Sequence, residues 1–216
     1  MKKICVAILL GVMVLSLGAC GKQDDTTEIT QETETTQENE TTQENESTQE
    51  NESTQETGVQ TSSLEILDTL WGTYEEGEKF AVAGGDSANS VMDKPNTFDV
   101  TNSEELDATL GFPAAQAELI DDAASMVHMM NANTFTCGVF HVADAENVTA
   151  VTDAVKDNIM NRQWMCGFPD TLIVAVVHDE YVVSAFGHAE NMEVFKTKLL
   201  ASDATATIMY EENLSQ

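Results

Sequence analysis

Apolar side chains follow two patterns along the chain, separated by a polar stretch. Residues 4–17 form one nearly continuous apolar run, and periodic apolar positions begin again only after residue 62. Between these regions, residues 23–62 contain no aromatic residue and only Ile29 and Val59 as apolar side chains. Since a segment so poor in apolar residues cannot bury a core, the pattern predicts one folded domain, over residues 63–216.

Beyond residue 62, helical and strand periodicities alternate along the chain. Their order predicts an α+β fold, a single small domain in which an antiparallel sheet carries helices packed on one face. The predicted helices are one that begins at Ser62-Ser63, then 103–110, 147–165 and 189–200. The predicted strands are 134–142, 172–177, 181–186 and 205–210, with a turn at His178-Asp179-Glu180.

Residues 119–130 fit two patterns. Leu119, Ala123, Met126 and Met130 recur at helical spacing. Strand-like sequence follows directly, however, and residues 131–133 suit a hairpin turn. The residues alone leave both alternatives open.

The N-terminal apolar run has the features of an export signal. It follows Met1-Lys2-Lys3 and is too short to span a bilayer comfortably. Leu17-Gly18-Ala19-Cys20 resembles the lipobox of bacterial lipoproteins, in which the cysteine is lipidated and becomes the first mature residue. The resemblance implies a signal peptide over 1–19, lipidation of Cys20 with acyl chains such as palmitate, and anchoring at the extracytoplasmic face of the cell membrane.

The segment 20–62 is predicted to be a disordered linker that carries the lipidated cysteine. From Thr35 to Gly58 it repeats a hexad, TTQENE, TTQENE, STQENE and STQETG. Twelve acidic residues and no Lys or Arg lie in 23–62, so repulsion extends the segment. It is either a tether that lifts the domain from the membrane or a solvated tail whose length matters little.

Charge excludes one class of partner. Residues 63–216 hold 26 Asp and Glu against 6 Lys and Arg, a net charge of −20. Because nucleic-acid binding requires clustered cations that neutralise phosphates, we expect no nucleic-acid partner.

Cys137 and Cys166 are candidates for a disulfide. The first opens a predicted strand and the second ends the following helix, which returns antiparallel and brings both to one side. An exported location permits the bond, and the alternative is two buried thiols. Their spacing is not C-x-x-C, so a redox motif is not expected.

Two groups of histidines carry candidate chemistry. His128 lies among Met126, Met129 and Met130, a set that suits Cu(I) but equally a core face. His178 adjoins Asp179 and Glu180, and His188 ends the same hairpin. These side chains either bind a metal or transfer protons, or they are simply solvated at the turn. With no G-x-S-x-G elbow and no phosphate loop, we expect no catalytic residues, no metal site and no cofactor.

Trp164, Phe168 and Pro169 form an aromatic group after the 147–165 helix. They are either an exposed patch for a partner or a site where Trp164 packs on the sheet.

Residues 135–195 resemble an uncharacterised family of exported proteins from Gram-positive anaerobes, the domain-of-unknown-function family numbered four-three-five-eight. The features are the strand Phe135–Val142, Asp144 before a long helix, Arg162-Gln163-Trp164, and the hairpin around Tyr181-Val182-Val183. The resemblance implies a lipoprotein and a strand at 119–130. It brings no catalytic residues.

Together these features predict a membrane-anchored, non-catalytic lipoprotein with a binding or accessory role at the cell envelope, whose protein or small-molecule partner the sequence does not identify. The alternative is a small envelope enzyme or metal-handling protein, which requires clustered His, Cys or acids. A third alternative is a module that binds a protein complex, which should have an exposed apolar patch.

Overall fold

The computed structural model describes residues 61–214. The predicted signal peptide, the predicted lipidation site Cys20 and nearly all of the predicted linker therefore lie outside the described residues. The helices are α1 Ser63–Gly72, α2 Ser103–Glu105, α3 Val148–Met160 and α4 Ala189–Ser202. The strands are β1 Val82–Gly84, β2 Val91–Met92, β3 Asn96–Thr97, β4 Ile120–His128, β5 Phe135–Val142, β6 Thr171–Val177, β7 Tyr181–Gly187 and β8 Thr207–Asn213.

Within residues 61–214, the eight strands form one antiparallel sheet in the order β2-β1-β4-β5-β7-β6-β8. The short β3 pairs with β4 beside β1, so that β4 is covered along both edges. The predicted α+β class and antiparallel sheet are confirmed. No helix among the described residues is long and apolar enough to cross a membrane.

The helices pack on both faces of the sheet, and the prediction that they share one face is wrong. Cys137 and Val139 of β5 face the core under α1 and α4, whereas Phe140 and Val142 face the core under α3. The central strands are thus buried on both sides, which explains the unbroken apolar run of β6.

Most of the segment 119–130 is the strand β4, Ile120–His128, as the family resemblance implies. Residues 114–119 form a 3₁₀ helix, β4 follows at once, and a 3₁₀ turn over 132–134 leads into β5. Pairing along both edges of β4 outweighs its helical spacing, because tertiary context overrides a short periodic pattern.

Helix α3 ends at Met160, so the prediction of a helix to Met165 is wrong at its C-terminal end. The Asn161 amide donates to the Asp157 carbonyl oxygen at 2.8 Å, and the Arg162 guanidinium donates to the carbonyl oxygens of Asp107 and Ala108. These contacts turn the chain away from the helix axis. Residues 161–170 therefore form a loop between α3 and β6.

The end of α3 packs against the segment that follows α2. α2 continues as a π-helical turn over 106–110, and Gly111 follows it in the left-handed region with φ 69°. The Asn158 amide donates to the Gly111 carbonyl oxygen at 3.0 Å. A Cβ atom at Gly111 would lie 2.6 Å from Ile159 Cγ1, so only glycine fits here.

Candidate functional site

The loop 161–170 exposes large apolar side chains. Met165 is 80% exposed and Phe168 is 68% exposed, and Met160 at the end of α3 is also exposed. Trp164, by contrast, is half-buried and its ring packs 5.1 Å from the ring of Phe186 in β7. Trp164 therefore packs on the sheet, as the second alternative predicts, whereas Phe168 faces outward, and whether it binds a partner stays a prediction.

Beside this loop lies a cavity of about 750 Å³, which we call the Trp164 pocket. It is lined by residues 160–164, Phe168 and Leu214. Leu214 follows β8, and its backbone N–H donates to the Asp170 carbonyl oxygen at 2.8 Å. The pocket thus lies between the end of α3 and the end of an edge strand, and has the size of a small-ligand or side-chain site.

The loop backbone is held from the β4–β5 turn. The side-chain amide of Asn133 donates to the carbonyl oxygens of Met165 and Gly167, at 3.1 and 3.0 Å. The Asn131 amide donates to the Cys166 carbonyl oxygen at 3.5 Å. Gly167 has φ 125°, a conformation that favours glycine. The exposed Met165 and Phe168 are therefore presented on a hydrogen-bonded loop.

The floor of the pocket carries a cation, Arg162, which uses two of its five N–H donors on backbone carbonyl oxygens. The Arg162 guanidinium lies 5.5 Å from the Trp164 ring centroid, a cation–π contact, while its nitrogens bind the Asp107 and Ala108 carbonyl oxygens. These contacts fix Arg162 as part of the floor and limit its use as a phosphate or carboxylate ligand.

Three carboxylates, Asp153, Asp157 and Glu212, lie on α3 and β8, the two elements that end at the pocket. Glu212 pairs with Leu172 in the sheet, which places it on the α3 face. The Tyr210 hydroxyl donates to Asp153 Oδ1 at 2.5 Å, and this hydrogen bond, then burial, raises the pKa of Tyr210. Lys156 lies 3.0 Å from Asp157 Oδ1 and 4.7 Å from the Tyr210 ring centroid.

A second group of polar residues lies at the opposite end of β5, beside the start of α1. His141 Nδ1 is 2.5 Å from Asp121 Oδ1, and its Nε2 is 3.6 Å from Glu180 Oε2. With Asp122 and Tyr181 these residues form the His141 cluster. They border a cavity of about 340 Å³, which is also lined by Thr61 and Ser62.

The His141 cluster holds the first residues of the domain. The Ser63 N–H donates to Asp122 Oδ2 at 2.7 Å, and the Tyr181 hydroxyl donates to the Thr61 carbonyl oxygen. Burial, and then the negative charges of Asp122, Glu180, Asp121 and Glu65, raise the pKa of Tyr181. The tyrosine therefore acts as a neutral hydrogen-bond donor.

Sequence reasoning missed the His141 cluster. The pair Asp121-Asp122 looked like a solvated acid face, because its partner His141 is 20 residues away. A register shift in β4 between Ile120 and Asp122 lets both consecutive aspartates contact groups on the α1 side. The available signal was His141 itself, a polar residue on the buried face of an otherwise apolar strand.

The predicted histidine groups do not assemble. His178 and Asp179 form the β6–β7 turn with φ 51° and 61°, and His178 Nε2 lies 2.7 Å from Asp203 Oδ2. Glu180 faces His141 instead, and His188 lies at the far end of β7. Burial raises the pKa of Asp203, but hydrogen bonds from Thr205 and the neighbouring His178 together lower it below its usual value.

The side chains of the predicted His128 group also lie in different environments. His128 stacks on Phe80 with ring centroids 5.4 Å apart, and its Nδ1 accepts from the Met130 N–H. Met126 is buried in the core, whereas Met129 and Met130 are exposed. In residues 61–214, no three His, Cys, Asp or Glu side chains are arranged to hold a metal ion.

The structure does not bring the two cysteines together. Cys137 is fully buried under α1, and Cys166 is exposed on the loop 161–170; both thiols are free. Burial raises the pKa of the Cys137 thiol far above its usual value.

No protein-family model, curated protein or solved structure matches the chain. The resemblance of residues 135–195 to an exported family therefore stays a prediction.

Proposed function

We propose that the protein is a lipid-anchored envelope protein whose domain binds a partner, without catalysis, through the Trp164 pocket. The observation that carries the proposal is the exposure of Met165 and Phe168, 80% and 68%, on a loop held by Asn131 and Asn133. Large exposed apolar side chains beside a concave pocket are typical of an interaction site.

Burial of the Met165 and Phe168 side chains supplies free energy for binding. Complete burial of a Met or Phe side chain contributes about 1.5–3 kcal/mol each. Because hydrogen bonds from Asn133 already order the loop, little further backbone entropy opposes binding. Aromatic and methionine side chains are also enriched at protein interfaces, while Lys and Glu are depleted there.

The N-terminal sequence supports the proposed location. Lipidation at Cys20 would leave residues 21–62 as a linker before the domain. Forty flexible residues have an average end-to-end distance of roughly 35 Å, and repulsion between the carboxylates lengthens it. Such a linker lets the Trp164 pocket reach partners that stand above the membrane surface.

Methionine oxidation compared between intact cells and the purified mature protein tests the binding proposal. Met165 and Met92 are both exposed, and Met92 lies in β2 at the opposite edge of the sheet from β8. We expect Met165 to be protected on cells and reactive after purification, with Met92 reactive in both. Equal oxidation of Met165 in both samples would reject a bound partner at this pocket.

The anchor is tested separately. Replacement C20A should abolish labelling with radioactive palmitate and release the protein from the membrane fraction. Retention of label in that variant would reject Cys20 as the lipidation site.

A second candidate function is supported by the His141 cluster. An imidazole hydrogen-bonded to a carboxylate at 2.5 Å beside a cavity is an arrangement that can transfer protons, as the enzyme alternative requires. Native mass spectrometry of the mature chain from the exporting host distinguishes the two. A bound small molecule or metal that is lost in His141→Gln would favour this candidate over the Trp164 pocket.

A further inference from the structure

We infer that the occupant of the Trp164 pocket is a cationic amphipathic peptide segment of a partner protein, with apolar side chains in the pocket and Lys or Arg along its rim. The inference rests on the proposed binding function and adds the chemistry of the partner.

The apolar part of the recognition follows from the pocket lining. Trp164 and Leu214 form an apolar floor, and Met160 and Phe168 stand around it with exposed surface. A concavity of about 750 Å³ has room for several apolar side chains of a peptide. Phe168, which lines the pocket, then contacts these side chains from the loop.

The cationic part follows from the charges beside the pocket. Asp157 is 67% exposed, and Glu212 and Asp153 lie on the same face of the domain. The neighbouring cations offset only part of this charge, since Lys156 pairs with Asp157 and the Tyr210 ring, and Arg162 keeps its positive charge while it binds backbone carbonyl oxygens. Carboxylates are therefore left in excess to pair with a basic ligand.

The charge of the whole domain acts in the same direction. A net charge of −20 over residues 63–216 produces a negative potential that speeds the approach of cationic partners and repels acidic ones. This field disfavours a second copy of the domain and an anionic lipid surface as occupants. The chain's own segment 23–62 is a poor occupant as well, since it is acidic and has only Ile29 and Val59 to bury.

Binding of three synthetic peptides of equal length to the full mature chain tests the inference. One contains Leu and Lys in an amphipathic order, the second replaces Lys by Glu, and the third replaces Leu by Ser. We expect the Leu–Lys peptide to bind about tenfold or more tightly than either of the others, and to weaken as the salt concentration rises. Tight binding of the Leu–Glu peptide, or equal binding of the Ser–Lys peptide, would overturn the inference.

Variants locate the binding. The double variant Met165→Ser/Phe168→Ser should weaken the Leu–Lys peptide by about tenfold or more, whereas Met92→Ser should not. All three replaced side chains are exposed, so a thermal melt should show each variant folded. Equal affinity for the wild type and the double variant would mean that the basic peptide binds the acidic surface without using the pocket. That result would also overturn the inference.

The rim charges have a matched control. Asp157→Asn/Glu212→Gln should weaken the Leu–Lys peptide several-fold and flatten its salt dependence. Asp68→Asn/Glu193→Gln removes the same charge from α1 and α4, across the sheet, and should do neither. An equal effect of both pairs would reject a specific rim.

Failure of this inference can be told from failure of the binding function. If Met165 is protected on cells but no Leu–Lys peptide binds at the pocket, the pocket has a partner of another chemistry. Saturable binding to vesicles of anionic lipid, or a dimer lost in Phe168→Ser, would identify that occupant and reject a basic peptide.

Discussion

The side-chain amide of Asn133 donates to the carbonyl oxygen of Gly167 at 3.0 Å, across 34 residues of sequence. Through this contact, and a second one to the Met165 carbonyl oxygen, the β4–β5 turn holds the loop that exposes Phe168. The shape of the proposed binding surface therefore depends on a turn that belongs to neither α3 nor β6.

Replacing Asn133 by alanine should loosen this loop. Two hydrogen bonds are lost, each of which stabilises the fold by about 0.5–1.5 kcal/mol. The larger effect should be on local opening of the loop. Hydrogen exchange of the amides of 165–168 should accelerate while that of β5 and β7 stays slow. Asn131→Ala removes a single, longer contact to the loop, of 3.5 Å, besides the acceptor of the Asn133 N–H within the turn. Its effect on the amides of 165–168 should therefore be smaller, and equal effects would contradict this account.

Replacing Gly111 by alanine should destabilise the domain. The residue has φ 69°, and a Cβ atom would lie 2.6 Å from Ile159 Cγ1, so backbone strain and overpacking add to about 2–5 kcal/mol. Urea denaturation measures the free energy of unfolding. Gly72→Ala is the control, because nothing lies within 4 Å of its Cβ position at the end of α1. That variant should be neutral or gain up to about 1 kcal/mol.

The buried Asp86 should make stability depend on acid pH. Burial raises the pKa of this carboxyl, but hydrogen bonds from Asn89 and from the backbone N–H groups of Ala88 and Asp99 together lower it. A lowered folded-state pKa stabilises the fold above the unfolded pKa, near ~3.9, and this contribution is lost as the pH falls through the folded value.

We therefore expect Asp86→Asn to lower the free energy of unfolding at pH 7 by about 1–3 kcal/mol, with a difference from wild type that shrinks below about pH 4. Denaturant titrations between pH 7 and pH 3 measure it. Asp93→Asn, at an exposed position, is the control and should change the free energy of unfolding at pH 7 by no more than about 0.5 kcal/mol. A difference that grows on acidification would contradict the assigned direction.

The two cysteines should differ in reactivity. Cys166 is exposed, whereas burial raises the pKa of Cys137 and suppresses its reactive thiolate. Iodoacetamide should alkylate Cys166 in the native protein and Cys137 only after unfolding. A native mass about two daltons below the reduced value, with no alkylation, would establish the disulfide that the sequence suggested.

Much of the sheet could be predicted because its signals are local. β-branched residues on both sides of His178-Asp179-Glu180 predict the β6–β7 hairpin, and alternation predicts β5. The strand β4 was ambiguous, since its pairing with β1 and β3 involves residues 27–46 positions away, which no periodicity records. Helices on both faces were missed because periodicity does not show which side of the sheet each helix covers.

At the candidate sites too, features with local signals could be predicted and features that depend on distant residues could not. The exposed Phe168 was predicted as one of two alternatives, from its position beside Pro169. The end of α3 was placed too late because its stop depends on Arg162 reaching the carbonyl oxygens of Asp107 and Ala108, more than 50 residues earlier. The contact between His141 and Asp121 depends on strand register in the same way.

Site-specific photo-crosslinking in the exporting cell tests the central claim most directly. A photoreactive phenylalanine analogue is placed at position 168 of the full chain, and at position 92 as the control, both of which are exposed. The account predicts one discrete adduct from position 168 that is absent from position 92, with the cross-link mapped to an apolar segment rich in Lys and Arg. The same adducts from both positions, or none from position 168, would contradict a binding function for the Trp164 pocket.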